Sequence, residues 1–215
     1  MTRIAIIGAG DLGVQIAHQV SLASGKTVAG YFDDSKPEGE IVEGSPVLGG
    51  VDAVEPRFAA GDFDELVMAI GYRHMAVRQR LFARFHPKVP FTTLVHPRAW
   101  VDPTSTVGPG AVLFAGVVVD MHSSIGANTL LNVGCVIAHH TSIGDGCFLS
   151  PSVSVAGFVS IGPGNVLGIG TIVIDNISMI SGVRTGAGAV VTENVVEPGL
   201  YLGIPARIRR TEPVS

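Results

Sequence analysis

Three of the seven histidines in this 215-residue sequence stand at intervals that could support acyl transfer. His140 follows His122 by 18 residues, and Gly157 follows His139 by the same interval. If 18 residues make one turn of a regular coil, His122 and His140 stack on one face, and Gly157 lies about 4.8 Å from His139. An imidazole titrates near neutral pH and suits a general base. A glycine N–H that no side chain covers could stabilise an oxyanion.

A regular coil is what the sequence around these residues predicts. An aliphatic or methionine residue recurs at every sixth position from Val95 to Val191, with Thr185 as the one exception. The fifth position of each block is usually small or β-branched, and the second is often glycine, which we expect to adopt turn conformations. Hexapeptide periods are typical of a parallel β-helix with 18 residues per coil. The alternatives are a β-sandwich and, for His139, an ordinary solvated turn residue.

Composition excludes several classes of function. The formal net charge of −4 provides no basic surface for nucleic acid. Cys135 and Cys147 both occupy fifth positions, so we expect buried thiols and neither a disulfide nor a metal site. No apolar run approaches the roughly 18 residues that a membrane span needs, and Met1–Arg3 leads directly into a strand-like segment. We therefore expect a cytoplasmic protein without membrane insertion.

The first 93 residues predict a small Rossmann-like α/β domain. Arg3–Ile7 and Thr27–Phe32 are expected strands on either side of a helix at Val14–Leu22. The glycine-rich segment Gly8–Gly13 would bring backbone N–H groups to a phosphate at the helix N-terminus. Asp33, about 20 residues later, could bind a ribose hydroxyl or a base edge. Because a second βαβαβ half is missing, we expect one nucleotide diphosphate and not NAD; the alternative is a tight turn without a ligand.

The remainder of this domain predicts one loop, a short helix at Val51–Glu55, one strand and one longer helix. Ser35–Val47 has the composition of a loop, Glu65–Ile70 that of a strand and His74–Phe85 that of a helix. Ligands of such domains gather at the carboxyl ends of parallel strands. Gly71 and Tyr72 follow the last strand directly, so we expect them beside the glycine-rich segment.

At these positions the sequence resembles the bacterial nucleotide-sugar acetyltransferases of the hexapeptide-repeat class. That class includes UDP-4-amino-sugar N-acetyltransferases, GDP-perosamine N-acetyltransferase and sialic-acid O-acetyltransferase-like proteins. The resemblance covers nearly the whole chain. The segments that carry it are Ile6–Gly10, Phe32–Asp34, Pro46–Gly49, Ala69–Gly71, Val95–Pro97, Ile137–His139, Ile143–Asp145 and Tyr201–Ala206.

The resemblance implies a left-handed β-helix at residues 94–215, ending in a C-terminal cap, after a nucleotide-sugar-binding domain at residues 1–93. It implies a homotrimer with acetyl-CoA in the cleft between adjacent β-helices and no metal. The sugar amine would attack the thioester directly, with His139 as the base and the Gly157 N–H as the oxyanion donor. The residues matched to the cofactor groove are Phe148, Gly157, Gly168, Ile169 and Ala187; those matched to the nucleotide-sugar are Gly10, Asp11, Leu12, Asp33 and Asp34.

One position departs from the family. Relatives usually carry Asp or Glu directly after the base, whereas this chain has His140. A neutral imidazole supplies no negative charge, so we expect His139 to be a weaker base unless another acid such as Asp145 takes over the role. Three hypotheses follow: an N-acetyltransferase for a UDP-, GDP- or dTDP-linked 4-amino-4,6-dideoxy sugar, a sugar O-acetyltransferase of the same fold, and a non-catalytic scaffold that binds nucleotide-sugars.

Overall fold

The computed structural model describes residues 1–209, which form two compact units. The first unit is Met1–Pro97, and the second begins at Arg98. This division lies four residues beyond the boundary expected after residue 93. The last part of the predicted C-terminal cap, residues 210–215, lies outside the described residues.

The first unit is an α/β domain built on a five-stranded sheet. Its strands are β1 (Thr2–Ile7), β2 (Lys26–Phe32), β3 (Ile41–Val42), β4 (Ser45–Gly49) and β5 (Glu65–Met68), and its helices are α1 (Asp11–Leu22), α2 (Val54–Ala59) and α3 (Met75–Phe85). The strand order is β3-β4-β2-β1-β5, and all neighbours are parallel except β3 and β4. The chain order reverses at β1, which creates the ligand-binding crevice of doubly wound sheets.

Residues 35–40 form a loop, as their composition predicts, but β3 and β4 form an antiparallel hairpin over the rest of the predicted loop. Glu43 and Gly44 make the turn with φ values of 45° and 80°. β4 then pairs with β2, and Gly30 permits this pairing because a side chain there would collide with the backbone of Pro46. Both strands are short, and β4 also depends on its pairing with β2, so local composition gave no signal for them.

The second unit confirms the predicted parallel β-helix and excludes a β-sandwich. After β6 (Leu94–Val95), its strands up to the last regular coil are β7 (Trp100–Val101), β8 (Thr106–Val107), β9 (Val112–Leu113), β10 (Val118–Val119), β11 (Ser124–Ile125), β12 (Leu130–Leu131), β13 (Val136–Ile137), β14 (Ser142–Ile143), β15 (Phe148–Leu149), β16 (Ser154–Val155), β17 (Ser160–Ile161), β18 (Val166–Leu167), β19 (Ile172–Val173), β20 (Ser178–Met179), β21 (Val183–Thr185) and β22 (Val190–Val191). Each strand pairs in parallel with the strand 18 residues away, as Val118 does with Val136. The aliphatic first-position residues fill the interior, together with Cys135 and Cys147, which are free and buried.

The second-position glycines have a different role from the predicted one. A Cβ on Gly126 would lie 2.5 Å from the backbone N of Asp145, so these glycines allow neighbouring coils to approach each other. The turn conformation occurs at the fourth position instead. That position has positive φ in every block from Gly110 to Gly188, including the blocks that place His140 and Phe158 there.

The last coil is two residues shorter than the others. Val195 pairs with Met179, 16 residues earlier, so it occupies a first position and not the fifth position that an unbroken hexad would give it. β23 (Gly199–Leu202) pairs with β21 at the same shortened interval. β24 (Arg207–Ile208) then returns antiparallel to β23.

Candidate active site

His139 and Gly157 lie one above the other at the corner of the β-helix that follows β13 and β16. A Cβ built on Gly157 would lie 2.6 Å from Cε1 of His139 and 3.0 Å from each ring nitrogen, so only glycine fits beneath this imidazole. The ring covers the Cα side of Gly157, and this glycine is buried. Its N–H nevertheless donates to no acceptor within residues 1–209.

The N–H at the same block position is occupied at some other corners of the coil. At the equivalent block position, the N–H of Met121 donates to Asp120 Oδ1, and the N–H of Ala127 donates to Asp145 Oδ1, both at 2.7 Å. Asp145 is therefore engaged at the next corner and does not take the place of an acid beside His139. The N–H of Gly157, like those of Ile169 and Ala187 at the same block position, has no acceptor within residues 1–209.

His140 contacts the ring of His139 directly. The two Nδ1 atoms are 3.2 Å apart, so one imidazole donates a hydrogen bond to the other. His140 also lies 5.0 Å from His122, which confirms the predicted stacking, and 4.9 Å from the nearly parallel ring of Phe158. With Nδ1 of His139 engaged, Nε2 is the nitrogen left for proton transfer.

A groove of about 400 Å³ lies beside this corner on the outer face of the β13–β16–β19 stack. Its lining is mostly aliphatic: Val136, Ala138, Ser154, Val155, Ala156, Ile172, Val173, Ile174 and Asp175. Asp175 lies one coil above Gly157, whose carbonyl accepts a hydrogen bond from the N–H of Asn176. The groove therefore offers an apolar wall to a ligand that reaches His139.

Apart from Gly157, the residues matched to the cofactor groove lie at a different corner of the β-helix from His139. Ile169 and Ala187 stack 18 residues apart at the corner after β18, and both are exposed. Gly168 precedes them, and its missing side chain makes room for the carbonyl of Thr185. Phe148 is only 5% exposed in β15, so little of its ring is open to a cofactor. Within one protomer, these cofactor-groove residues and His139 therefore lie at different corners of the coil.

The glycine-rich segment of the first unit has the form expected of a phosphate-binding turn. Gly8 has a φ of 106°, and Gly13 lacks the side chain that would collide with the carbonyl of Gly8, so α1 packs closely on β1. Gly10 has open space around its Cα and precedes α1 without a side-chain cap. The first-turn N–H groups, including those of Asp11 and Leu12, are the donors that a helix leaves for an anion.

Asp33 holds this segment against the end of β2. One carboxylate oxygen accepts a hydrogen bond from the N–H of Ala9 at 2.8 Å, and the other accepts from the N–H and Oγ of Ser35. Burial alone would raise the pKa of Asp33, but these bonds and the charge of Lys36 lower it below its usual value. Asp34 is less constrained, because only Oδ1 accepts a bond, from the N–H of Val51.

A cavity of about 450 Å³ opens at the carboxyl ends of β1, β2 and β5. Its lining residues are Ile7, Gly8, Phe32, Asp33, Asp34, Ser35, Val51, Ile70, His74, Val77 and Leu81. Gly71 and Tyr72 do not line it, although their neighbours Ile70 and His74 do. Sequence reasoning missed His74, Val77 and Leu81, since only the packing of α3 turns them toward the cavity.

Comparisons with known proteins identify both units. Residues 3–85 match the PglD N-terminal domain family, and residues 122–157 match the bacterial transferase hexapeptide family of six repeats. Within residues 1–209, no group of His, Cys, Asp or Glu could hold a metal ion, and no helix is long and apolar enough to cross a membrane. No curated protein matches the chain.

Solved structures match nearly the whole chain. A histidine-to-asparagine mutant of perosamine N-acetyltransferase from Caulobacter crescentus, in complex with CoA and GDP-perosamine, is 30% identical over 98% of both chains, with a TM-score of 0.92. The acetyltransferase domain of PglB from Neisseria gonorrhoeae, in complex with acetyl coenzyme A, is 25% identical over 96% of this chain and 98% of that one, with a TM-score of 0.87. The chain belongs to the bacterial nucleotide-sugar acetyltransferases of the hexapeptide-repeat, left-handed β-helix class, and it is an acyltransferase.

Proposed function

We propose that this enzyme transfers the acetyl group of acetyl-CoA to the amino group of a nucleotide-linked 4-amino-4,6-dideoxy sugar. The observation that carries the proposal is the His139 imidazole directly against Gly157, whose N–H has no acceptor within residues 1–209. The relatives from Caulobacter crescentus and Neisseria gonorrhoeae, with their CoA, GDP-perosamine and acetyl coenzyme A ligands, support both substrates.

The transfer is a direct attack on the thioester. The amine nitrogen bonds to the carbonyl carbon, and the negative charge that develops on the carbonyl oxygen is stabilised by the Gly157 N–H. Nε2 of His139 takes a proton from the attacking nitrogen. When the C–S bond breaks, the same proton passes to the CoA thiolate, and His139 returns to its neutral form. No nucleophilic side chain is needed, and both cysteines are buried.

The first unit holds the nucleotide in this proposal. The backbone of Gly10, Asp11 and Leu12 would bind the diphosphate at the positive end of α1. Asp34 has a carboxylate oxygen free to accept from a ribose or base, whereas Asp33 acts mainly by holding the loop. Gly71 and Tyr72 would border the site without lining its cavity.

The cofactor groove belongs to a homotrimer in this proposal. Gly168, Ile169 and Ala187 would line the CoA groove against a neighbouring subunit, with Phe148 behind it. The outer face of the β7–β10–β13–β16–β19 stack supports the assembly, because Trp100, Val136 and Ile172, on alternate strands of this stack, are exposed apolar side chains. Apolar patches of this kind mark interaction surfaces. Light scattering of the purified protein measures the assembly directly.

The test is acetyl transfer in vitro. UDP-, GDP- and dTDP-sugars are first screened by calorimetry, since binding well above Kd stabilises the protein measurably. The amino sugar of the best nucleotide is then incubated with acetyl-CoA, and the product is analysed by mass spectrometry. An acetyl group that resists hydroxylamine is an amide, whereas a labile one is an ester and favours the O-acetyltransferase.

His139→Asn separates the proposed mechanism from simple proximity. We expect kcat/KM to fall by about 10²–10⁴-fold, the usual contribution of a general base. His122→Asn is the matched control, because it changes a histidine at the same corner, and its activity should stay near that of the wild type. Undiminished transfer by His139→Asn would exclude His139 as the base.

A further inference from the structure

Phe158 occupies a backbone conformation that suits few side chains. Its φ is 58°, and the other residues at this fourth position between Gly110 and Gly188 are Gly, Asn, His or Ser. A bulky side chain with positive φ is an outlier, and such outliers cluster at functional sites. Burial does not compensate for the strain, since Phe158 is 56% exposed.

The ring of Phe158 contacts both histidines of the candidate site. Its face stacks on His140, with centroids 4.9 Å apart and an interplanar angle of 22°. It meets His139 edge to face, at 5.2 Å and 81°. Phe158 directly follows Gly157, so one dipeptide supplies the available N–H and the aromatic support of the base.

The hydrogen bond between the two Nδ1 atoms is compatible with Nε2 of His139 as the base. If Nε2 takes the proton, Nδ1 must carry a hydrogen, which it donates to Nδ1 of His140 at 3.2 Å. The hydrogen on His140 is then at Nε2. After proton transfer the positive charge is shared along this bond, because the Nδ1 proton can move from His139 to His140. No acidic residue follows the base to balance that charge.

We propose that Phe158 is a positioning residue that clamps the His139–His140 pair, and that its ring face stabilises the positive charge of this pair, to which no carboxylate of residues 1–209 bonds. Aromatic faces attract cations within about 6 Å of their centroid, and the His140 ring lies inside that distance. The inference rests on the proposed function, since it concerns the same base.

The other titratable groups around the stack are few. His122 lies 5.0 Å from His140 on the side away from Phe158, and Asp102 belongs to the coil below it. Asp175 lies one coil above Gly157, and its Oδ2 accepts a hydrogen bond from Nδ2 of Asn176. Asp120 precedes Met121 and His122, and its Oδ1 accepts a hydrogen bond from the N–H of Met121. None of these carboxylates bonds to His139 or His140 within residues 1–209, whereas the Phe158 ring contacts both imidazoles.

The experiment compares Phe158→Gly, Phe158→Leu and Phe158→Tyr. Gly relieves the backbone strain, so the Tm of Phe158→Gly should stay equal or rise. Because the ring no longer positions the two histidines, kcat should fall about 10-fold with KM unchanged. Loss of the aromatic face should move the acidic limb of the kcat/KM profile to lower pH by about half a unit in Phe158→Gly and Phe158→Leu. Phe158→Tyr keeps the aromatic face, so its kcat and the acidic limb of its kcat/KM profile should match those of the wild type. Ser152→Gly, at the fourth position of another corner, is the control and should change neither.

Imidazole ¹⁵N shifts in the free enzyme provide a readout that needs no substrate. The wild type should show a single tautomer of His139 with the hydrogen on Nδ1, and Phe158→Gly should show a mixture. Wild-type kinetics in Phe158→Gly, or an unmoved pH profile, would overturn the inference. If the wild type makes no acetylated product, the proposed function fails, whereas the ¹⁵N shifts still decide whether Phe158 fixes the tautomer.

Discussion

An alanine at position 157 would place a methyl group 2.6 Å from Cε1 of His139. Ordinary Cβ contacts begin near 3.4 Å, so the imidazole must move by roughly 0.8 Å to clear it. The 3.2 Å bond to His140 then lengthens or breaks. A displacement of about 1 Å in a catalytic group can cost about 100-fold in rate. We therefore expect Gly157→Ala to lower kcat about 100-fold, equivalent to about 2.7 kcal/mol of transition-state stabilisation.

The fold should survive this substitution, because the clash is with a side chain that can rotate and the φ of Gly157 is not in the left-handed region. Gly144→Ala is the matched control, since its methyl group would lie 2.6 Å from the backbone N of Pro163 in the next coil. Overpacking of about 1–3 kcal/mol should lower its Tm by several degrees. Calorimetry and steady-state kinetics compare the two variants. Wild-type kcat in Gly157→Ala at unchanged Tm would refute the reasoning.

Two further predictions concern ionisation. His140→Asp places a negative charge beside His139 and favours its protonated form, so the acidic limb of the kcat/KM profile should move to higher pH by about one unit; an unmoved limb would contradict the role of His140. Burial raises the pKa of Cys135 to about 11 and that of Cys147 to about 12. Neither thiol should react with iodoacetamide at pH 8 until the protein is unfolded, and mass spectrometry that finds alkylated native enzyme would show this to be wrong.

The β-helix could be predicted from the sequence because its signal is local and repeated. Each coil places an aliphatic residue at the same position, so the stacking of His139 with Gly157 follows from counting residues. The turn conformation could not be assigned in the same way, since glycine is frequent at the second and the fourth positions. Only the structure separates Gly126, which faces the next coil, from Gly134, which makes a turn.

The parts that could not be predicted depend on contacts between distant segments. β3 and β4 form because β4 pairs with β2. His74 lines the cavity because α3, which begins directly after it, packs on the sheet. The contact between His140 and Phe158 arises from two left-handed turns one coil apart. Residue type alone assigned Phe158 no role, and its strained φ is visible only in the folded chain.

The shortened last coil also affects how one molecule meets another. A β-helix that ended in a regular 18-residue coil would present a row of unpaired N–H and C=O groups to any second copy, in register for continued stacking. Here the register changes by two residues at Val195, and β24 runs against β23. A second β-helix that approached this sheet would meet an antiparallel strand and not the parallel ladder. The shortened coil thus disfavours end-to-end stacking of two copies at this sheet.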